Sequence, residues 1–528
     1  MRKLFTAAAL LALAALSGCG DGSGSSGTVG WPAWGNTARN QRFAALGQIN
    51  AGNVADLGLA WTRPAGANQF AWETFPIVVG RTMYYDTGTD QVVAVDATSG
   101  RVRWSFTPRV DFLGGAVGAY GGEPISRGVT YGEGRIYETT ADDRLIALDA
   151  RSGKRLWAVR VADPSVGSLN SPGTFWDGKI VVGGPAGAAG QRGFVAAYNA
   201  ADGSSLWRTK MVPPRGSGWR RGPGQGGGDV WMPPTIDPAT GTVYVATGNP
   251  TPGFSNAARP GCNRMADAVV ALDGGSGKVE WSRTLVCQDS WDYDTVQAPL
   301  LLGQSGGEDG GAATVGAGSK SGFYAFLEAA SGRVTARSPY LTRYSRPHLV
   351  PTRAGVVVCP GIYGGLEYGP PAYSPREGLL YVAGNEMCMR YRLAAGAGKV
   401  PAGEAALGGT ATQVGRASGV VAAIDPETGA VRWRQPLPST ANGGLLATAS
   451  GLVFVGEDYG WLRAFDAASG RPLWHYRLGL RVGSAPIAYE VDGVEYLAIA
   501  AGGSLVRTRG AAPDAPAKLF VFRLGGRG

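Results

Sequence analysis

Apolar residues recur along the chain in short runs, each ending in an acidic residue and a glycine turn. Two copies run from Val92 to Trp104 and from Leu145 to Trp157, and in each a tryptophan follows the turn glycine by four residues. Short apolar runs bounded by Gly, Asn and Asp are typical of β-strands joined by tight turns. The pattern therefore predicts a chain built almost entirely of strands and turns.

The same unit is repeated along most of the chain. Five further copies end at Trp207, Trp281, Ala336, Trp433 and Trp474, and the apolar run at residues 378–383 supplies one more, for a count of eight. Radial repetition of such units into a β-propeller buries the strand faces and protects the strand edges. We predict an all-β, eight-bladed β-propeller in which the repeat tryptophans dock between blades.

The two ends of the chain fit a closed ring. The apolar runs at residues 496–500 and 518–522 are predicted to be strands that pair with the N-terminal segment. Gly/Pro-rich stretches at residues 213–228, 252–265 and 394–415 interrupt the repeats, and we expect them to lie on one face and to shape an entrance.

Composition narrows the class of protein. The chain has 528 residues with 85 Gly and 33 Pro, and its 15 Trp argue against disorder. The net charge of +9 is spread over scattered Lys and Arg. Without a basic run or a stripe of stacking residues, nucleic acid is not an expected partner.

The N-terminus reads as a secretory signal. Charged residues at 1–3 precede an apolar run at 4–16, too short to span a bilayer, and then Ser17, Gly18 and Cys19. This ending resembles the bacterial lipobox, so we predict a lipoprotein signal at 1–19, lipidation of Cys19, a Gly/Ser tether at 20–27 and a single propeller domain at 28–528. An ordinary cleaved signal is the alternative.

The other four cysteines are expected to form disulfides, because an exported protein meets an oxidising compartment. Three pairings are possible. We favour Cys262 with Cys287 and Cys359 with Cys388, since each pair closes a short loop. No Cys-x-x-Cys-His sequence is present, so covalently attached haem is not expected.

Two carboxylates stand two residues apart in the sequence Ser-Trp-Asp-Tyr-Asp at residues 290–294. In an extended segment, side chains two residues apart share a face. Asp292 and Asp294 would then point the same way, where a hard cation or a proton could use both.

Together these features resemble the pyrroloquinoline quinone (PQQ)-dependent alcohol dehydrogenases, eight-bladed propellers of the bacterial periplasm. The resemblance covers nearly the whole mature chain and begins with the Trp- and Asn-containing segment at residues 31–61. It implies an oxidoreductase that oxidises a small alcohol or polyol with PQQ and one metal ion. It also implies a cytochrome c-type electron acceptor and, with the lipobox, a lipid-anchored enzyme of the cell envelope facing the periplasm.

The resemblance further implies which residues hold the quinone, a flat molecule with three carboxylates. Trp231, after a glycine-rich stretch, matches the tryptophan on which the quinone stacks. Arg127 matches the arginine that pairs with a quinone carboxylate. Glu73 matches a residue that makes a polar contact with the quinone. Lys320 matches the donor to the reactive carbonyl. Asn442 matches a further contact, although Asn-Gly is also a common turn.

The metal site is implied in the same way. Asn249 matches a side-chain carbonyl ligand, and Asp292 matches the catalytic aspartate that lies by the metal and takes the alcohol proton. The metal would polarise the quinone carbonyl that receives the hydride.

Two departures from the family pattern stand out. Gly121 and Gly122 occupy the place of an adjacent cysteine pair, and Ala188 that of a metal-binding glutamate. Loss of a charged oxygen ligand should weaken the binding of a hard cation. Asp294 stands where rare-earth methanol dehydrogenases carry an extra aspartate, and it could replace the missing glutamate as a ligand. The bound ion would then be Ca²⁺ or a rare-earth ion. Glu367 stands where other members often have Asn.

Two other functions fit part of this pattern. A non-catalytic propeller lipoprotein that serves as an envelope assembly scaffold would share the lipobox, the tryptophan repeats and the glycine turns. A degenerate quinoprotein that has lost its metal would keep the quinone residues as well. Only an intact or degenerate quinoprotein accounts for Arg127, Trp231, Asn249, Asp292 and Lys320 in family order.

Overall fold

The structure is a computed structural model, and it describes residues 27–67, 72–110, 125–163, 167–185, 190–213, 219, 225–303, 311–345, 349–401, 407–503 and 516–527. The predicted signal and Cys19 lie outside the described residues, as do Gly121, Gly122 and Ala188. Among the described residues, no helix has the length and apolar character needed to cross a bilayer.

The described residues form eight sheets of four or five strands, plus one two-stranded sheet. This confirms the all-β prediction, and the number of sheets is consistent with eight blades. The first strands are β1 (Phe43–Ala44), β2 (Leu57–Ala67), β3 (Ile77–Val79), β4 (Thr82–Asp86), β5 (Val92–Asp96), β6 (Val102–Phe106), β7 (Thr130–Gly132), β8 (Arg135–Thr139), β9 (Arg144–Asp149), β10 (Arg155–Arg160), β11 (Thr174–Trp176), β12 (Lys179–Gly184), β13 (Phe194–Asn199) and β14 (Ser205–Lys210).

The second half continues with the same short strands apart from one long hairpin. Its strands are β15 (Gly226–Gly227), β16 (Thr235–Ile236), β17 (Thr242–Ala246), β18 (Pro250–Thr251), β19 (Ala268–Asp273), β20 (Val279–Thr284), β21 (Leu300–Leu302), β22 (Thr314–Gly318), β23 (Tyr324–Glu328), β24 (Val334–Arg337), β25 (Val356–Val358), β26 (Ala372–Ser374), β27 (Leu379–Leu393), β28 (Gly409–Ile424), β29 (Val431–Leu437), β30 (Leu445–Thr448), β31 (Leu452–Glu457), β32 (Trp461–Asp466), β33 (Pro472–Arg477), β34 (Ile487–Val491), β35 (Val494–Ala501) and β36 (Pro516–Leu524). Single 3₁₀ turns lie at Val54–Asp56 and Asn256–Ala258.

The ends of the chain close the ring, as predicted. Strand β2 pairs antiparallel with β36, with Leu57 opposite Leu524 and Trp61 opposite Val521. Strand β36 also pairs with β35, so the last sheet contains one strand from the N-terminus and three from the C-terminus. Strand β1 joins β30 in the preceding sheet. Both sheets therefore combine strands from the two ends of the chain.

The repeat tryptophans dock between sheets, and the structure shows why the motif needs glycine. The indole N–H of Trp104 donates to the carbonyl of Ala150, 3.0 Å away in the next sheet. A Cβ added to Gly153 would lie 2.5 Å from the same indole. The equivalent indole to carbonyl bonds are Trp61 to Ala97, Trp157 to Ala200, Trp207 to Gly274, Trp281 to Ala329 and Trp433 to Ala467.

The two favoured disulfides, Cys262–Cys287 and Cys359–Cys388, are present. The first joins the irregular segment after β18 to the segment after β20, and the second joins the residue after β25 to the long strand β27. The prediction of their pairing is confirmed.

Where the sheets converge, segments that precede them pack into one apolar cluster. It contains Trp34, Phe75, Met232, Val296, Ala298, Tyr368 and Ala485, with Trp231 against it. The fully buried guanidinium of Arg42 lies over the rings of Trp34 and Phe75 and donates to main-chain carbonyls at Trp34, Leu445 and Pro486. This packing supports the residues of the site from below.

Candidate cofactor and metal site

The segment that carries Asp292 is a turn, and the extended conformation considered from the sequence is wrong. Asp292 has a φ of +68°, in the left-handed region. The buried carboxylate of Asp289 accepts main-chain N–H bonds from Trp291, Asp292 and Tyr293 at 2.9, 3.0 and 3.1 Å. One aspartate thus holds the turn that presents another.

Asp289 is itself held in a buried setting. Burial raises its pKa to about 6, although the Arg259 guanidinium favours the ionised form. Arg259 is fully buried and donates to the Asp289 main-chain carbonyl and, at 2.8 Å, to that of Pro252. The Cys262–Cys287 disulfide begins the same segment. The loop that carries Asp292 is therefore anchored at several points.

Asp292 and Asp294 nevertheless meet, at the ammonium of Lys320. Its Nζ lies 2.9 Å from Asp292 Oδ2 and 3.1 Å from Asp294 Oδ2. Burial opposes the charge of Lys320, but the two carboxylates outweigh it and raise the pKa of Lys320 well above the ordinary value. The main-chain N–H of Lys320 also donates to the Asp294 carbonyl, at 3.0 Å. The structure thus brings these three side chains together, by a geometry other than a shared strand face.

Asn249 joins the same group. Its main-chain N–H donates to Asp294 Oδ1 at 2.8 Å. The carboxylate of Asp229 lies against the preceding glycine, since a Cβ on Gly248 would be 2.0 Å from Asp229 Oδ1. Burial and, to a smaller extent, the charge of Asp292 raise the pKa of Asp229 to about 6. Asp229 is a carboxylate that motif matching did not identify.

These residues offer oxygen donors of the kind that hard cations prefer: three carboxylates and an amide. In the described residues, no three acidic, His or Cys side chains stand in a metal-binding arrangement, and the Lys320 ammonium pairs with Asp292 and Asp294 instead. Burial raises the pKa of Asp294 well above the ordinary value, an effect that Lys320 opposes. By donor type the set suits a Ca²⁺ or rare-earth ion, while the described carboxylates converge on Lys320.

Trp231 presents an aromatic surface beside this cluster. The ring is partly exposed, with the Arg127 guanidinium 5.0 Å and Lys320 Nζ 5.4 Å from its centre. Strand β15, just before it, packs so closely that a Cβ on Gly226 would lie 1.9 Å from the Gln191 carbonyl. The glycines therefore let the main chain approach its neighbours and bring Trp231 to the site.

Arg127 and Glu73 are both buried and form an ion pair, with Arg127 Nη2 2.8 Å from Glu73 Oε2. The pair lacks hydrogen-bond alignment, because neither Glu73 oxygen has a hydrogen-bond partner in the described structure. Arg127 Nη1 donates to the Asn170 carbonyl at 3.2 Å, and the guanidinium lies 5.1 Å from the Tyr368 ring centre. The two predicted quinone contacts are thus adjacent.

Asn442 is held by its neighbours, not by a turn alone. Its amide donates to Asp458 at 2.8 Å and accepts from Asn385 at 2.7 Å. Glu367 is also buried, and burial raises its pKa to about 7, while the charge of Lys320 lowers it. The charge of Lys320 therefore acts on Glu367. Whether Glu367 reaches the site was a question that the sequence had left open.

Seven buried polar atoms in this part of the described structure have no hydrogen-bond partner. They are Glu73 Oε1 and Oε2, Arg127 Nε, Glu367 Oε1, Asp458 Oδ1 and Arg481 Nη1 and Nη2. Buried polar groups left unpaired are costly, so these atoms fit a polar ligand that supplies partners. The arginine donors among them, together with the Trp231 surface, fit a flat, anionic quinone.

Asp229, Tyr368, Asp458 and Arg481 were not identified from the sequence. Their signals are weak there, because Asp229 lies in a glycine-rich stretch and the other three lie in turns and loops between strands. Only the convergence of sheets brings them beside the predicted residues.

A comparison with protein-family models finds two matches. The model for the PQQ family, described as glucose/ethanol/alcohol dehydrogenase, beta-propeller domain, matches residues 31–337, more than half of the chain. A model for the outer membrane protein assembly factor BamB matches residues 417–508.

Individual relatives span nearly the whole chain. The quinohemoprotein alcohol dehydrogenase of Comamonas testosteroni is 30% identical over 95% of this chain and 77% of that protein. The lanthanide-dependent methanol dehydrogenase of Methylacidiphilum fumariolicum (strain SolV) is 31% identical over 88% and 83%. A solved structure of a europium-containing methanol dehydrogenase, 27% identical, matches with a TM-score of 0.82 over 94% of this chain and 98% of that one.

Fold and site together define a propeller oxidoreductase built around a flat anionic cofactor. The chain belongs to the PQQ-dependent alcohol dehydrogenase family. The predicted enzyme class and the predicted cofactors, PQQ with a Ca²⁺ or rare-earth ion, are confirmed by this membership.

Proposed function

We propose that this chain oxidises a small alcohol or polyol with PQQ stacked on Trp231. The observation that carries the proposal is the position of Lys320, which pairs with Asp292 and Asp294 and stands 5.4 Å from the Trp231 ring centre. A catalytic carboxylate, a cationic donor and a stacking surface are thereby adjacent. Bound PQQ supplies the hydride-accepting carbonyl, which the cation polarises.

Asp292 is the proposed general base. A substrate hydroxyl within hydrogen-bond reach of Asp292 would give up its proton to the carboxylate. The C–H bond of the carbon that bears this hydroxyl would break at the same time. The turn held by Asp289 fixes that carboxylate, and Lys320 directs its ammonium to the same place. The ammonium of Lys320 would then stabilise negative charge that develops on the cofactor oxygen.

The cation would be held by Asn249, Asp292 and Asp294. Because Ala188 replaces an expected glutamate, we assign the missing charge to Asp294, with Asp229 as an additional oxygen donor beside Asn249. Glu73, Arg127 and Asn442 would contact the quinone. Trivalent rare-earth ions gain more than Ca²⁺ from each added carboxylate, which favours a rare earth here.

The setting of the enzyme is part of the proposal. Lipidation at Cys19 would anchor the chain to a bacterial envelope membrane, with the tether at 20–27 and the propeller at 28–528 facing the periplasm. A cytochrome c-type protein would accept the electrons. Relatives named as quinohemoprotein alcohol dehydrogenases support electron transfer to haem in this family.

Reconstitution tests the proposal directly. Protein lacking residues 1–27 would be incubated with PQQ and either Ca²⁺ or a rare-earth ion, then assayed with alcohols and an artificial electron acceptor. We expect bound quinone absorbance and alcohol-dependent dye reduction. Absence of both with either ion would contradict the proposal and favour the assembly-scaffold alternative, for which the BamB match at residues 417–508 is the supporting observation.

Asp292→Asn tests the role of the base. We expect turnover to fall by at least about 10³-fold, because Asn cannot take the proton, while quinone still binds. Dye reduction and the absorbance of protein-bound quinone are the two measurements. The matched control is Glu280→Gln on the exposed strand β20, which should leave both unchanged. Loss of quinone from Asp292→Asn would contradict the assigned role.

Asp294→Ala tests the choice of metal. Removing one carboxylate should weaken Tb³⁺ about 10- to 100-fold and Ca²⁺ less, because the trivalent ion depends more on ligand charge. Terbium luminescence sensitised by tryptophan measures the affinity for Tb³⁺, and competition by calcium measures the affinity for Ca²⁺. Asp229→Asn should weaken Tb³⁺ in the same direction. Equal Tb³⁺ affinity in wild type and Asp294→Ala would overturn the assignment.

A further inference from the structure

Arg481 is a buried cation that the proposed mechanism does not use. It stands in the loop before β34, where Nη1 lies 3.0 Å from the position of a Cβ on Gly483. Both terminal nitrogens, Nη1 and Nη2, are buried and have no hydrogen-bond partner in the described residues. A Cβ at position 483 would contact the guanidinium tightly, so glycine there leaves room for this side chain.

The charge of Arg481 is retained in spite of burial. Burial lowers the pKa of a guanidinium, but the Tyr368 phenol and the carboxylates of Asp458 and Glu73 outweigh it and raise the pKa of Arg481. The group therefore remains charged, and its terminal nitrogens lie beside the Tyr368 hydroxyl without the alignment of a hydrogen bond.

A structural partnership with Asp458 does not account for these donors. Arg481 Nε is 3.9 Å from Asp458 Oδ1, beyond hydrogen-bond distance. Asp458 Oδ2 already accepts from Thr440 at 2.5 Å and from Asn442 at 2.8 Å. Asp458 provides charge balance, and the fork of Nη1 and Nη2 stays available.

Arg481 and Arg127 lie around the same tyrosine. The Arg127 guanidinium is 5.1 Å from the Tyr368 ring centre. At the other end of that side chain, the hydroxyl donates to the Gly483 carbonyl at 3.2 Å and lies beside Arg481. Glu73 pairs with Arg127 and also acts electrostatically on Arg481. The two arginines thus belong to one charged cluster.

We infer that Arg481 is a second anion-binding residue of this site, whose Nη1 and Nη2 take a carboxylate of the bound quinone other than the one at Arg127. The inference rests on the proposed function, because it presupposes that the quinone binds. A planar fork with two free donors matches a carboxylate bidentately, and such bonds are stronger than neutral ones. The quinone carries three carboxylates, more than Arg127 alone can pair.

Quinone binding to the cofactor-free protein tests the inference without any assay of activity. PQQ is titrated into wild type, Arg481→Met, Arg481→Lys and the exposed control Arg523→Met, and quenching of tryptophan fluorescence gives Kd. The trimethyl ester of PQQ, which has no carboxylate charge, is titrated in parallel. Thermal melting checks that each variant is folded.

We expect Arg481→Met to bind PQQ about 10- to 100-fold more weakly than wild type does, because one charged, bidentate contact is lost. The Kd of Arg481→Met for the trimethyl ester should stay within about twofold of the wild-type value. Arg481→Lys should show an intermediate loss, since its point charge cannot form the fork. Arg523→Met should bind PQQ as wild type does.

The outcomes separate the two proposals. If wild type fails to bind PQQ, the proposed function is wrong. If wild type binds and folded Arg481→Met binds equally well, the inference is overturned, as it is if PQQ and its ester weaken in parallel. Should Arg481→Met fail to fold, an unchanged Kd in Arg481→Lys overturns the inference in its place.

Discussion

A single lysine sets the electrostatics of the site. The ammonium of Lys320 is shared by Asp292 and Asp294, which are both largely buried, at 2.9 and 3.1 Å. Two carboxylates in low dielectric repel each other strongly, and the shared cation offsets that repulsion. A bound metal ion would perform the same neutralisation and release Lys320 to its proposed contact with the quinone.

Glu367 gives this electrostatic arrangement a pH dependence. Burial raises its pKa from an ordinary 4.5 to about 7, opposed by Lys320 and supported by Asp292 and Glu73. The folded protein therefore holds this proton more tightly than the unfolded chain. Protonated Glu367 therefore contributes to the free energy of unfolding below about pH 4.5. This contribution falls as pH rises from about 4.5 to about 7, and it is absent above pH 7.

Glu367→Gln should therefore stabilise the cofactor-free protein increasingly over that pH range. We expect a gain in the free energy of unfolding of about 3 kcal/mol at pH 8 and near zero at pH 4, from the size of the pKa difference. Urea unfolding at both pH values measures it. An equal effect of the substitution at pH 4 and pH 8 would contradict the assigned burial.

At the scale of the element, the repeat motif encodes contact between sheets. The turn glycine has a positive φ, as at Gly153 with +71°, and it also leaves room for the tryptophan of the preceding repeat. The acidic residue before the turn caps it: Asp149 Oδ1 accepts from the main chain of Ser152 at 2.8 Å. One short sequence thus specifies a hairpin and its docking position.

Two glycines of the same sheet separate these effects. Gly153 and Gly134 have φ values of +71° and +73°, but only at Gly153 would a Cβ meet an indole, at 2.5 Å from Trp104. Gly134→Ala should cost about 1 kcal/mol from backbone strain, and Gly153→Ala about 1 to 3 kcal/mol more from the clash.

Denaturant midpoints of the two variants provide the measurement. Trp104→Phe combined with Gly153→Ala should recover part of the loss, because the smaller ring makes room. Equal destabilisation by Gly134→Ala and Gly153→Ala would show that docking is not what the turn glycine protects.

At the scale of the whole molecule, stability depends on ring closure between the two ends of the chain. Strand β36 lies between β2 and β35, so it connects the N-terminal strand to the last sheet. Val521 at its centre is fully buried and pairs with Trp61 on one side and Ala498 on the other. Closing so long a loop carries an entropic cost that these contacts must exceed.

Val521→Asp should open the ring. An unpaired buried carboxylate costs several kcal/mol, enough to release β2 and expose the N-terminal segment. Limited proteolysis and gel filtration would detect this as early cleavage and a larger apparent size. Arg523→Asp, exposed in the same strand, is the matched control and should behave as wild type. Protease resistance of Val521→Asp equal to wild type would refute closure by β36.

The sequence by itself determined the fold, because each repeat carries its own strand period, capped turn and docking tryptophan, all local signals. Resemblance to a family pointed to Trp231, Arg127, Asp292 and Lys320 as site residues, since these stand in motifs with a fixed order. Loop length favoured one of three possible pairings of the four cysteines, and the structure shows that pairing.

The tertiary structure alone decided how these residues meet. The local pattern allowed Asp292 and Asp294 to share a strand face, whereas main-chain bonds to Asp289 form a turn that brings them together at Lys320. Asp229, Glu367 and Arg481 belong to loops far apart in sequence, and only the convergence of the sheets places them in one charged cluster. The physical reason is that hydrophobic periodicity and turn chemistry are local, whereas the charge balance of a buried site depends on contacts between distant segments.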